Sequence, residues 1–441
     1  MKVHFAVALA ALSATIGWAQ SSPQQSQALP ELQHIDVMQV DNTVDPCGNF
    51  YQYACGKLNA ANPIPPDQVG WGPAGKLSEW NRLVLRQILE KNQAVSASRT
   101  ANEQKIGDFY ATCTGQAASK ADDLAAIQPL LQRIDSIHEK REIAAVLAAL
   151  HSSFSRAWEV GDNQTDAALF GYGPTPDYND VGRVVAGVDQ GGLGMPGRDY
   201  YLDSDAETKA IREKYVTLIE TLLKMDGVSA AAAAQDAATI LRVETAMARA
   251  QMDNITRRDP NKLNNRYTLA QLKALTPAFE WESYLGALGA PAVPLYEVST
   301  PEFFRDLNQL LVSEDLATWK LYLRWQLLHS AAPALGNGWR DAAFAFRAAL
   351  TGQRQQPPDW RRCTSAVDAY LGEALGQVYV AQVFPPESKA RAQKMVSSAT
   401  VSPPSTAKLS IAATNAYSRE SFCRAVFETA AIGSSTNSPS I

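Results

Sequence analysis

The chain has 441 residues, 46% of them apolar, and a formal net charge of −5. That is ample for one large hydrophobic core or two. The charge is spread without blocks, and aromatic residues do not interleave with basic ones. Both features exclude a nucleic-acid surface or an anionic membrane surface as the main business of the chain.

In chain order, MKVHFAVALAALSATIGWAQ reads as a secretory signal over 1–19. It has a basic start at Lys2, an apolar run from Phe5 to Trp18 and small residues at Gly17 and Ala19. The run is too short for a permanent membrane anchor. Residues 20–36 read as a polar tether. The mature chain is therefore expected outside the cytoplasm, periplasmic or extracellular, where cysteines tend to pair. Helical periodicity then dominates. SEWNRLVLRQILEKNQA is expected to begin on a capping Ser78. KIGDFYATC, IQPLLQRIDSI, EIAAVLAALH and AETKAIREKYVTLIETLLKM follow the same spacing. The Ala-rich stretch ending in VETAMARAQM is made of strong helix formers. TLAQLKALTP is stopped by Pro277, and PEFFRDLNQLLVS, LATWKLYLRWQLLHSAAPAL, WRDAAFAFRAALTG and SAVDAYLGEALGQVYVAQVF continue the pattern. Strand signals are few: ALFGYG (168–173) and VVAGVDQ (184–190) suit a small hairpin. The expected fold is mainly α, a large multi-helix lobe over 37–396. After Val396 the composition turns rich in Ser, Thr and Pro, so 397–441 reads as a tail that is disordered or translated out of frame.

Chemistry is sparse. Of five histidines, His4 lies in the signal and His34 in the tether. HEKRE (138–142) is the nearest approach to H-E-x-x-H, which works because histidines at i and i+4 share one helix face and grip a metal. Glu142 stands where the second histidine belongs, and a charged, solvated face is the plainer reading. His151, ending EIAAVLAALH, reads as a helix C-terminal cation, and His329 as a satisfied interior histidine. DQGGLGMPGRDYYL (189–202) lacks the strand-before, helix-after setting of a dinucleotide loop and reads as a tight turn fixed by Pro196. The cysteines are odd in number: Cys47, Cys55, Cys113, Cys363 and Cys423. On one helix Cys47 and Cys55 would lie about 12 Å apart, beyond the span of about 7 Å that a disulfide allows between Cα atoms.

Several stretches in order are more specific. DPCGNFYQYACG, NPIPPD, QGGLGMPGRDYYL, ARAQMDNITRRDPNKLNNRYTLAQLKALTPAFEWESYL, WKLYLRWQLL and PPDWRRCTSAVDAYLGEALGQVYVAQVFPPESKARAQKMV together resemble the neprilysin and endothelin-converting-enzyme family of zinc metallopeptidases, over about 37–396. The resemblance implies a helical cap lobe facing a thermolysin-like catalytic lobe, with peptides reaching zinc through the space between. It implies a Cys113–Cys363 disulfide. It also implies that Cys47 and Cys55 pair with cysteines of the catalytic lobe, which leaves both stranded here and gives Cys423 no role. The pattern breaks after Val396: no H-E-x-x-H and no E-x-x-x-D helix follows. TNAY (414–417) is a chance echo of the family's substrate strand, and Gly70 and Ala74 in VGWGPAG replace the family's Arg and Phe. No catalytic or metal-ligating residue is therefore assigned and no zinc is expected on this chain. The leading expectation is a truncated, inactive secreted metalloendopeptidase. The alternative is a non-catalytic exported helical module that binds peptides or another protein.

Overall fold

The computed structural model describes residues 40–118, 124–153, 168–384 and 386–401. The signal, the tether, TNAY and Cys423 lie outside them. The chain is mainly helical with a small sheet, as its periodicity implies.

The helices α1 (Phe50–Ala61), α2 (Pro73–Gln93) and α3 (Ala101–Ala118) come first. Helix α2 begins five residues before Ser78, because Pro73 occupies its first turn, where a missing N–H costs nothing. Ser78 is therefore an interior helical residue and not a cap. Helices α4 (Gln128–Asp135) and α5 (Ile143–Ser153) lead into the hairpin of β1 (Phe170–Asp177) and β2 (Asp180–Gln190). The hairpin is antiparallel, with Phe170 opposite Gln190 and Pro174 opposite Ala186. It extends beyond the expected strands, since Asp177 accepts from Asn179 N at 2.9 Å and closes the turn.

Next come α6 (Asp199–Leu202), α7 (Ala206–Met225) and α8 (Ala230–Ala250). Asp205 and Ser229 cap α7 and α8, each accepting a backbone N–H three residues on. The chain continues through α9 (Pro260–Leu263), β3 (Arg266–Tyr267), α10 (Leu269–Leu275), α11 (Trp281–Leu288) and β4 (Tyr296–Val298). Strand β4 runs parallel to β2 and antiparallel to β3, giving the order β1-β2-β4-β3. At two and three residues, β3 and β4 are too short to leave an alternating sequence signal. Helices α12 (Pro301–Ser313), α13 (Leu316–Ala331), α14 (Asn337–Thr351), α15 (Asp359–Val383) and α16 (Pro386–Val401) complete the described chain.

Two cores form. The larger is built around α13, whose buried Trp319, Tyr322, Trp325 and Leu328 cover more than one face, the mark of a central helix. Against it pack α4, α7 and α8; α12 lies on α8 and α14 on α7, and an aromatic cluster of Phe170, Phe279, Trp281, Tyr284 and Phe304 belongs to the same core. The smaller core joins α2, α3 and α15 through Val84, Ile88, Leu89, Ile106, Tyr110 and Val367. There Cys113 and Cys363 are disulfide-bonded, with Cα atoms 5.7 Å apart. Cys47 is also disulfide-bonded, so the expectation that it is stranded is corrected. Cys55, on α1, is a free thiol and half-buried.

Candidate functional site

The hairpin, the turn before α6 and the segment after α8 enclose a cleft of about 870 Å³. One wall is the β1–β2 ribbon, from Gly171 to Thr175 and from Gly187 to Gln190. Pro196, Gly197 and Arg198 form the rim of the turn; Gln251, Met252, Asn254, Arg257 and Arg258 form the opposite wall; His151 and the end of α13 close the back.

The walls are locked together by amides. Gln190 donates to Met252 O at 3.1 Å and accepts from Met252 N at 2.8 Å, while Gln251 donates to Gly191 O at 2.8 Å. Arg257 grips Asp189 with both terminal nitrogens, at 2.9 and 2.7 Å. Such a fork on a carboxylate fixes direction as well as distance, and it raises the pKa of Arg257. Asp253 accepts from Ile255 N and Thr256 N, at 2.9 and 2.8 Å, and shapes the turn that presents Arg257 and Arg258.

The Gly-rich turn is structural. Gly192 has φ +84°, and a Cβ there would come within 2.7 Å of the Tyr322 hydroxyl. A Cβ on Gly194 would lie 1.9 Å from the Tyr215 hydroxyl. Behind the turn, Glu244 is fully buried. It accepts from Tyr215 at 2.7 Å, Tyr201 at 2.9 Å, Gln326 at 3.0 Å and Trp325 at 3.1 Å. Tyr201 in turn accepts from Gly194 N and Met195 N at 3.1 and 2.9 Å. One carboxylate thus fastens the rim of the cleft to α7, α8 and α13. Burial pushes its pKa up to about 7, against the pull of its hydrogen-bond donors.

His151 differs from expectation. Its Nε2 lies 2.9 Å from Ala168 O and its Nδ1 2.7 Å from the Tyr284 hydroxyl. A carbonyl only accepts, so Nε2 carries the proton and Nδ1 accepts from Tyr284. Desolvation lowers its pKa to about 4. The residue is a neutral hydrogen-bonded wedge and not a helix-terminal cation. His329 stacks on Trp325 with ring centroids 4.9 Å apart, and burial lowers its pKa to about 4. In HEKRE, Glu142 accepts from His138 N at 2.6 Å and Glu139 N at 3.3 Å, capping the turn that opens α5. Those bonds lower its pKa, and its oxygens serve the backbone.

Residues 46–400 match the sequence model of the N-terminal part of peptidase family M13. The chain belongs to peptidase family M13. Endothelin-converting enzyme 1 of Rattus norvegicus is 29% identical over 363 residues, covering 81% of this chain and 46% of that protein. An endothelin-converting enzyme homolog of Locusta migratoria is 28% identical over 371 residues, covering 81% and 50%. Among solved structures, the Mycobacterium tuberculosis zinc metalloprotease Zmp1 in complex with an inhibitor superimposes with a TM-score of 0.73 at 27% identity, over 84% of this chain and 54% of that one. This chain spans about half the length of the curated relatives it matches.

The M13 family is zinc-dependent. Among the described residues, no three His, Cys, Asp or Glu side chains converge to hold a metal ion. Among the described residues, Glu142 is taken up by backbone N–H groups and His151 by Tyr284 and Ala168, so these two donors do not suit zinc. No described helix is long and apolar enough to cross a membrane.

The cleft gathers Asp189, Arg198, Gln251, Arg257 and Arg258, none of which the sequence marked as site residues. All but Asp189, which directly precedes the first, lie within QGGLGMPGRDYYL and ARAQMDNITRRD, the stretches that carried the family resemblance. Their ordered occurrence was the available signal.

Proposed function

We propose that residues 37–396 form the substrate-enclosing helical lobe of an exported M13 zinc metalloendopeptidase, and that the 441-residue chain alone does not hydrolyse peptides. The observation that carries this reading is the cleft of about 870 Å³ walled by the family-marking stretches. Its volume suits a small ligand or a peptide segment. The chain contains no H-E-x-x-H to activate water. Phe50, Tyr51, Ile64 and Val69 are exposed near the start of the described chain. Apolar exposure of that kind fits a surface that further polypeptide covers. On this reading 1–19 direct export, 20–36 tether the lobe and 397–441 add no catalytic part.

The test is to incubate the purified chain with quenched fluorescent peptides, with and without added zinc, and to measure peptide binding by anisotropy in parallel. Binding without zinc-dependent cleavage is the expected result. Cleavage that zinc restores and a chelator abolishes refutes the inactive assignment, and absence of binding refutes the peptide-enclosing role.

A further inference from the structure

The charges of the cleft are unbalanced in one place. Three arginines line it, against the single carboxylate of Asp189. Arg257 is matched to that carboxylate by two hydrogen bonds. Arg198 is met only by a neutral acceptor: its Nη1 donates to Gln251 O at 2.9 Å, and its Nε is buried with no hydrogen-bond partner. Arg258 is exposed at the rim, and neither it nor Arg198 forms an ion pair with a described residue. The two belong to segments in contact, since a Cβ on Gly197 would sit 3.6 Å from the Asn254 side chain. Arg198 is held through Gln251, and the turn that Asp253 caps sets the backbone that carries Arg258.

From this juxtaposition we propose that Arg198 and Arg258 form a carboxylate-binding subsite at the rim of the cleft, which selects peptides bearing an acidic side chain or a free C-terminal carboxylate. A planar guanidinium suits a carboxylate because it offers two parallel donors. Arg198 is part-buried, and a guanidinium held there attracts an anion more strongly than a fully solvated lysine does. Asp189 does not compete, because both its oxygens face Arg257. The proposal rests on the reading that peptides enter this cleft, and adds which of them are held.

The experiment uses the full chain and three labelled octapeptides of one neutral sequence. The first is amidated, the second has a free C-terminus, and the third is amidated with one internal Glu. The expected result is that a carboxylate-bearing peptide binds about tenfold tighter than the neutral amide, as a charge-assisted hydrogen-bonded pair provides. Which of the two gains separates the C-terminal from the side-chain source. Arg258→Ala removes most of the gain over the neutral amide, and Arg258→Glu reverses it. Arg258 is exposed, so these variants keep the fold. Equal binding of all three peptides, or a preference untouched by both variants, overturns the subsite while leaving the peptide reading intact. If no peptide binds but N-acetylglutamate gives a saturable thermal shift that Arg258→Glu abolishes, the peptide reading fails and the subsite stands. If N-acetylglutamate gives none either, both fall.

Discussion

Replacing His151 by glutamine tests the account of the cleft's back wall. A Gln side chain can donate to Ala168 O and accept from Tyr284, so the bonds of the neutral imidazole are conserved while the titration is lost. The ordinary His pKa is 6.5 and burial lowers it to about 4 in the fold. A group whose folded pKa is depressed binds fewer protons folded than unfolded. Stability is therefore full above pH 6.5 and is lost as pH falls toward 4. Each pH unit across that window is worth about 1.4 kcal/mol, so the imidazole costs about 2 kcal/mol at pH 5 relative to pH 7.5. His151 lines the cleft, and water there screens part of the cost, so this figure is a ceiling. Urea unfolding of wild type and His151→Gln at pH 5, 6, 7 and 7.5 gives the difference free of His329 and Glu244, which are common to both. The variant should gain on wild type by up to about 2 kcal/mol as pH falls to 5. A difference that does not vary with pH would show that His151 titrates normally, and would refute the desolvated, neutral assignment.

Glu244 runs the other way. Its folded pKa of about 7 lies above the ordinary 4.5, so its contribution is fully present below pH 4.5 and declines as pH rises to 7. Glu244→Gln should gain on wild type by about 2 kcal/mol between pH 5 and pH 8 in the same assay. The Cys113–Cys363 bridge closes a separation of 250 residues, so chain entropy sets its contribution at about 5 kcal/mol. Cys113→Ala/Cys363→Ala should lower the denaturant midpoint of the α2–α3–α15 core, and an unchanged midpoint refutes that figure. Gly194→Ala drives a methyl into the Tyr215 hydroxyl and should destabilise by about 3 kcal/mol or more. Gly286→Ala, within α11 and with nothing inside 4 Å, should stabilise by about 0.5–1 kcal/mol; thermal melts of the pair read both signs.

The sequence by itself determined the helices, because their apolar residues recur at the spacing that one buried face requires. It also carried the hairpin at 170–190 and, through ordered stretches rather than any single motif, the family. Where two local signals compete, the stronger decides: Ser78 has the chemistry of a cap, but Pro73, five residues earlier, takes the first turn of the helix. Tertiary structure alone decided the rest. Strand β4 exists because β2 offers an edge to pair with and β3 because β4 offers the next, and their few residues hold no period of their own. His151 is neutral because Phe170 and Tyr284 close on its ring from distant positions, a desolvation that no helix-end rule can see. The cleft is the clearest case: Arg257 is separated in sequence from Asp189 and Arg198 by α6, α7 and α8, and only the packing of α7 and α8 against α13 brings their charges into one space. Periodicity reports the face a residue buries, whereas charge balance in a cavity depends on which faces meet.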